Sequence, residues 1–299
     1  MQRPNSASPR PGASPVAMPA RVIYLVRHGR SGANALGQVN GATVPDGLDS
    51  VGYQQRVGLY VLLRSAPICA IFTSTLARTQ QTALPLARHF ALPLKTTSDL
   101  DEFHGGVFEG ICTSIYRRHK RRRLPVQKMS PAESPDRTAV LDFVRRGCVS
   151  SATDSLSRSG ATFIRDQARR AAQNPLGYRA PGGGESVQDV IRRLRHFLGE
   201  VPANLHDRTI LIVGHGGTNR FLLGLLMHWP AMSARSVRQT PSQVFRITRQ
   251  AGRVPKLQVW TGTRWRLCPQ PPNPHRGLRC LKPVTRPPAR PVDTTFPTQ

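Results

Sequence analysis

Arginine, histidine and glycine stand side by side at Arg27-His28-Gly29, directly after the short apolar run Val22 to Val26. A neutral imidazole at a strand end, beside a guanidinium, is a competent nucleophile toward phosphorus. The guanidinium of Arg27 can fork two phosphate oxygens. Gly29 lets the backbone approach an anion and offers its N–H. Taken alone the tripeptide has a plain alternative, a turn histidine hydrogen-bonded locally. The same chemistry recurs further along the chain. Ser31 and Asn34 follow on the same loop. Ser74 to Thr82 puts a second arginine, Arg78, at the start of a helix, where unpaired N–H groups favour phosphate. Glu102 supplies a carboxyl in the glycine-rich stretch Leu100 to Gly110, and Gly214-His215-Gly216-Gly217 supplies a second histidine.

These residues need elements to hold them. Val22–Val26, Ala70–Phe72 and Ile210–Val213 are short continuous apolar runs, the pattern of strands buried on both faces. Each is followed by helical spacing: Val57, Val61 and Leu62 after Gly52; Leu76 to Phe90, interrupted at Pro85; and Phe221 to Met227, apolar nearly all round. Val187, Val190, Ile191, Leu194, Phe197, Leu198 and Val201 form the clearest amphipathic helix, with Ser186 as its N-cap. Strands alternating with helices predict an α/β sandwich with a mostly parallel central sheet. In such sheets ligands bind beyond the carboxyl ends of the strands. Those ends carry Arg27-His28-Gly29, Ser74 and His215-Gly216-Gly217.

Residues 111–180 break the pattern, being rich in charge and poor in apolar period. They read as a basic insertion over the sheet edge, or a lid, with Phe163, Ala168 and Ala172 hinting at one helix. Residues 244–249 and 257–267 alternate apolar and polar, as a closing hairpin or a pair of edge strands does. Residues 1–20 and 268–299 are proline-rich and without period, so both are expected to be disordered tails around a single domain spanning 21–267. Met18 is an alternative start.

Composition excludes several classes. No run approaches 18 apolar residues, so no membrane-spanning helix is expected, and the N-terminus lacks the apolar core of a secretory signal. Five cysteines, 69, 112, 148, 268 and 280, form no C-x-x-C pair, which fits a reducing, cytoplasmic setting and neither a disulfide framework nor a zinc site. Lysine and arginine total 43 against 16 aspartate and glutamate, a formal charge of +27. Of the cations 38 are arginine, spread over the chain, so the excess reads as a composition bias as much as a partner's footprint. The run 117–123 has two readings, a polyanion-steering patch or a solvated face.

The ordered set of motifs from Val22 to about Met227 resembles the histidine phosphatase superfamily, also called phosphoglycerate-mutase-like. The resemblance implies a three-layer α/β/α fold and a phosphohistidine mechanism. It implies that His28 is the nucleophile, Glu102 of L-x-E-x-x-x-G-x-x-E-G the proton donor, and His215 the second histidine on the phosphoryl group. Arg27, Asn34 and Arg78 would bind phosphate. No metal and no cofactor is implied, and no carboxylate cluster for a metal is evident. Arg30 departs from the family, where an uncharged residue or glutamate is common; it points to solvent or adds a third guanidinium at the mouth. Phe103-His104-Gly105-Gly106, where mutases carry an arginine-histidine-tyrosine-glycine pattern, favours hydrolysis of a small or acidic phosphomonoester. The alternatives are mutase-type phosphoryl transfer and a silent module binding a phosphorylated ligand or nucleic acid. The intact residue set argues against the silent module, so neither nucleic acid nor a membrane is expected as a partner.

Overall fold

The computed structural model describes residues 22–113, 158–205, 208–250 and 252–268. Seven strands form one sheet in the order β3-β2-β4-β1-β5-β6-β7: β1 Val22–Arg27, β2 Ile68–Thr73, β3 Leu94–Thr96, β4 Thr209–Gly214, β5 Val244–Thr248, β6 Lys256–Trp260 and β7 Trp265–Leu267. The pairs β3–β2, β2–β4 and β4–β1 are parallel, while β1–β5, β5–β6 and β6–β7 are antiparallel. The sheet is thus mixed. Only β5 and β7 run against the common sense, so the mostly parallel reading holds for direction and not for the pairing of the last three strands. Alternation at 244–249 and 257–267 marked this half, but as two strands; a turn at 261–264 splits the second stretch into β6 and β7.

Alternate strand residues feed two cores. Ile23 and Leu25 of β1, with Phe72, Ile210, Ile212, Phe245 and Val259, meet helices α5 (Val187–Glu200) and α6 (Gly216–Leu226) on one face. Tyr24, Val26, Ile71, Leu211 and Val213 meet α2 (Ser50–Leu63) and α3 (Ala77–His89) on the other. The result is the three-layer α/β/α sandwich. Each fully buried aliphatic or aromatic side chain contributes about 1.5–3 kcal/mol of transfer free energy. Ser186 caps α5 in a reciprocal box with Asp189, and Val187, Val190, Leu194, Phe197, Leu198 and Val201 are buried, with Ile191 at the margin.

Two helices differ from their sequence patterns. α2 buries Leu59 and Leu63 and turns Val61 outward, because apolar residues lie all round it and the sheet selects a different stripe. α3 runs through Pro85 without a break. The carbonyl of Gln81, which Pro85 cannot serve, accepts instead from Arg56 Nη1 at 3.3 Å.

The described part of the 111–180 segment holds helix α4, Arg158–Gln173. Its Ile164 packs with Phe108 and Ile111, so this helix lies on the loop that follows Glu102. Residues 114–157, with the basic run 117–123, lie outside the described residues, as do both expected tails up to Arg21 and beyond Cys268. Cys69 and Cys112 form no disulfide, whereas Cys268 is disulfide-bonded. The bond at Cys268 is not signalled by the cysteine spacing, which reads as no disulfide framework. No helix of the described residues is long and apolar enough to cross a membrane.

Candidate active site

The sheet register builds the site. Arg27 of β1 pairs with Gly214 of β4, and Thr73 of β2 pairs with Val213, so the three strands end level with one another. The next residues out are His28, His215 and Ser74. His28 is anchored by its own N–H, which donates to Gly214 O at 3.0 Å. The His28 and His215 rings lie 5.1 Å apart between centroids. Both are buried.

His28 Nδ1 lies 2.6 Å from the carbonyl of Gly29. A carbonyl only accepts, so the proton sits on Nδ1 and the lone pair on Nε2. Burial above all, then the guanidinium groups of Arg27 and Arg78, hold His28 well below the ordinary 6.5; the Gly29 bond acts the other way. His215 is held well below it too, by burial first and then by His28, Arg78, Arg27 and Arg193. Both imidazoles are therefore neutral at pH 7.

Arg78 is fully buried, with Nη2 on Gly41 O at 2.9 Å, Nη1 on Val44 O at 3.2 Å and Nε on His215 Nδ1 at 3.4 Å. Arg27 donates from Nη1 to Gln239 O at 2.8 Å, and its buried Nε has no partner. Burial lowers both guanidinium groups from their ordinary value, and Glu102 opposes it. Arg27 also lies against Gly216, where a Cβ would sit 3.2 Å from its Nε. The two arginines thus flank the histidine pair.

Glu102 sits on Gly217 and Thr218, two and three residues after His215. Its Oε2 accepts from Gly217 N at 3.0 Å, and its Oε1 accepts from Thr218 N at 3.0 Å and from Phe103 N at 2.9 Å. The carboxyl thus sits on the first turn of α6, where N–H groups are unpaired and the helix dipole favours negative charge. A Cβ on Gly217 would collide with it.

Asn34 stands on the one-turn helix α1 (Gly32–Ala35), and its buried Oδ1 has no partner. No hydrogen bond links it to the histidines. Arg30 bonds Asp49 Oδ2 through Nε at 2.6 Å, which ties it to the N-cap of α2 and decides against a third guanidinium on the site. Gly29 also differs from its reading. Its N–H donates to Thr82 Oγ1 at 3.0 Å, and it gives room for close contact with Gly52, whose carbonyl lies 2.8 Å from where a Cβ would be.

Several supporting residues carry no role legible in the motifs. Glu185 and Arg193 form a two-point fork at 2.9 and 3.1 Å, and Arg193 Nη1 holds the carbonyl of Asp99 at 2.6 Å. The Glu102 loop is thereby clamped to α5. Glu109 accepts from Ala42 N, Thr43 N and Gly105 N, and so shapes the loop whose carbonyls hold Arg78. Asp101 accepts from Thr75 N and Thr75 Oγ1, each at 2.8 Å. Asn219 and Gln239 join β1 to the loop before β5. Glu185 is visible as the acid of Gly-Gly-Glu-Ser; Arg193 carries no motif, and only its place on α5, eight residues on, could have signalled it. Among the described residues no three His, Cys, Asp or Glu side chains are grouped to hold a metal ion.

Two histidines at adjacent parallel strand ends, flanked by the buried Arg78, the half-buried Arg27 and a carboxyl on a helix N-terminus, define a class of phosphoryl-handling site. The family model of the histidine phosphatase superfamily, branch 1, matches residues 23–162 and 158–262, and the chain belongs to that superfamily. It is 26% identical over 211 residues to the adenosylcobalamin/alpha-ribazole phosphatase of Salmonella typhimurium, covering 71% of this chain and 82% of that protein. It is 26% identical over 246 residues to a Yersinia enterocolitica protein named a probable phosphoglycerate mutase, covering 81% and 89%. A PE-PGRS family protein of Mycobacterium tuberculosis is 38% identical over 91 residues, which is 30% of this chain and only 16% of that protein's length. Among solved structures, the alpha-ribazole phosphatase of Shigella flexneri has the same fold, with a TM-score of 0.55 at 22% identity over 80% of this chain and 95% of that one.

Proposed function

We propose that the protein hydrolyses a phosphomonoester through a phosphohistidine on His28. The observation that carries this is the Nδ1 contact with Gly29 O, which leaves Nε2 as the free nitrogen of a neutral, buried ring. In the first step Nε2 attacks phosphorus and the ester oxygen leaves. Arg27 and Arg78 neutralise the charge spread over the phosphoryl oxygens, and His215, neutral in the resting protein, joins them once the bound phosphate dianion draws a proton onto its Nδ1. Asn34 binds one of them through its amide. Glu102 gives a proton to the leaving oxygen and takes one from water in the second step. To do this its carboxyl turns from the α6 N-terminus toward the histidine pair.

The substrate in this reading is a small or acidic phosphorylated metabolite. The similarity to an alpha-ribazole phosphatase supports the hydrolytic branch, and the probable mutase among the relatives keeps phosphoryl return as the competing outcome. A panel of phosphomonoesters assayed for inorganic phosphate tests it. Release of phosphate from at least one ester, absent in His28→Ala, is the expected result. Isomerisation of a phosphorylated acid with no net phosphate release would overturn it in favour of a mutase.

A further inference from the structure

Ser74 follows the last residue of β2, and the pairing of Thr73 with Val213 sets it beside His215 at the sheet's carboxyl edge. Its Oγ lies 2.8 Å from His215 Nε2 and 2.8 Å from Thr79 Oγ1. All three side chains are fully buried. A hydroxyl has one proton to give. Thr79 gives its own to the carbonyl of Leu76 at 2.8 Å, with the Ser74 carbonyl at 3.2 Å as second choice. Thr79 Oγ1 is then the acceptor for the proton of Ser74. Ser74 Oγ is in turn left to accept, and it does so twice, from Leu76 N at 3.2 Å and from His215 Nε2. The opposite side of the ring agrees. Arg78 Nε–H points at His215 Nδ1 across 3.4 Å, a contact that calls for a bare nitrogen there.

We infer that Ser74 is a positioning residue: the directed chain from His215 Nε2–H to Ser74, to Thr79 and to Leu76 O fixes the ring of His215 and keeps its bare Nδ1 facing Arg78. A ring held in this way cannot flip about its terminal torsion, because the flip would strand a buried N–H. The kinetic consequence rests on the proposed reading, in which His215 touches the phosphoryl group. The tautomer itself is a property of the resting protein and stands apart from that reading.

The test has a spectroscopic arm and a kinetic arm. Histidine-labelled protein without substrate, observed by nitrogen NMR at neutral pH, should show His215 with a protonated Nε2 and a bare Nδ1. Thr79→Val removes the acceptor for the Ser74 proton, so Ser74 can donate to the ring and the Nδ1–H form should become populated. Ser74→Ala should lower kcat about 10- to 100-fold with KM within about twofold, the size expected when one buried N–H loses its partner. Ser74→Thr should restore most of the rate. A protonated Nδ1 in the wild-type protein would overturn the inference. So would a Ser74→Ala protein with unchanged kcat, or a Thr79→Val protein with an unchanged His215 spectrum. If no phosphomonoester is turned over while the tautomer is as stated, the proposed function fails and the Ser74 assignment does not.

Discussion

His28 and His215 are cross-strand neighbours. The parallel ladder of β1 and β4 ends at the pair Arg27 and Gly214, the next residue of each strand is a histidine, and the rings tilt at 58° with 5.1 Å between centroids. Burial first, and then Arg27 and Arg78 beside them, hold both imidazoles well below their ordinary value.

That arrangement fixes a pH dependence of stability. Both histidines are depressed below the ordinary 6.5 in the folded state, so the unfolded chain binds protons first as pH falls. Their contribution is full above 6.5 and is lost as pH drops from there toward the depressed folded values. The slope is at most about 1.4 kcal/mol per pH unit for each ring, about 2.7 for the two. His196 works in the other direction, since Asp99 raises it, but it is exposed. Tm measured from pH 7.5 down to 5 should fall, and the double variant His28→Asn/His215→Asn should flatten that fall. An equal slope in both proteins would detach the two rings from the acid sensitivity.

The acid role of Glu102 is read from its leaving-group dependence. In Glu102→Gln, an alkyl phosphate, whose alkoxide needs the proton, should lose roughly 10²–10⁴-fold. An activated aryl phosphate should lose much less while phosphoenzyme formation limits the rate. Single-turnover phosphorylation with both ester types isolates that step. Equal losses would remove Glu102 from the role. Asp101 and Glu109, the other carboxylates of this loop, would then be the next candidates.

Glu109 should act on the phosphate site at one remove. Its carboxyl carries the loop of Ala42 and Thr43, and Gly41 O and Val44 O of that loop hold Arg78. Glu109→Ala leaves two part-buried N–H groups and one exposed one unserved and should cost about 1–3 kcal/mol of stability. It should also raise KM more than it lowers kcat. Denaturant unfolding and steady-state kinetics on the same preparation check both; lost stability with an unchanged KM would sever Glu109 from Arg78.

Gly217→Ala should disturb Glu102 with little effect on the core. The added Cβ collides with the carboxyl and not with backbone, so the carboxyl must move. The expectation is a loss in kcat of about tenfold or more with Tm nearly unchanged, since alanine is a better helix former than glycine. A large drop in Tm would mean that the α6 N-terminus needs Glu102 as its cap.

Much of this arrangement was legible in the chain. Continuous apolar runs gave β1, β2 and β4, because strands buried on both faces leave that mark whatever surrounds them. The motif residues sat at their ends, so the corner of His28, Arg78 and His215 could be placed before any contact was known. What the pattern could not carry were relations set by tertiary packing. Pro85 reads as a break because its missing N–H is visible and the rescue by Arg56, from another helix, is not. Three-residue β3 is too short for a period. The clamp of Glu185 on Arg193 and the chain through Ser74 and Thr79 join residues whose types are ordinary and whose meaning lies in distance alone. Sequence position left Arg30 either in solvent or at the mouth of the site, and its pairing with Asp49 takes it out of the site.

The central claim is a covalent phosphoryl group on His28 Nε2. Brief reaction with a labelled phosphomonoester, followed by an alkaline quench, should trap an alkali-stable, acid-labile phosphohistidine. Peptide mapping should put it on the fragment holding His28, and His28→Ala should abolish it. Label that persists in His28→Ala, or turnover that continues in that variant, would contradict the account.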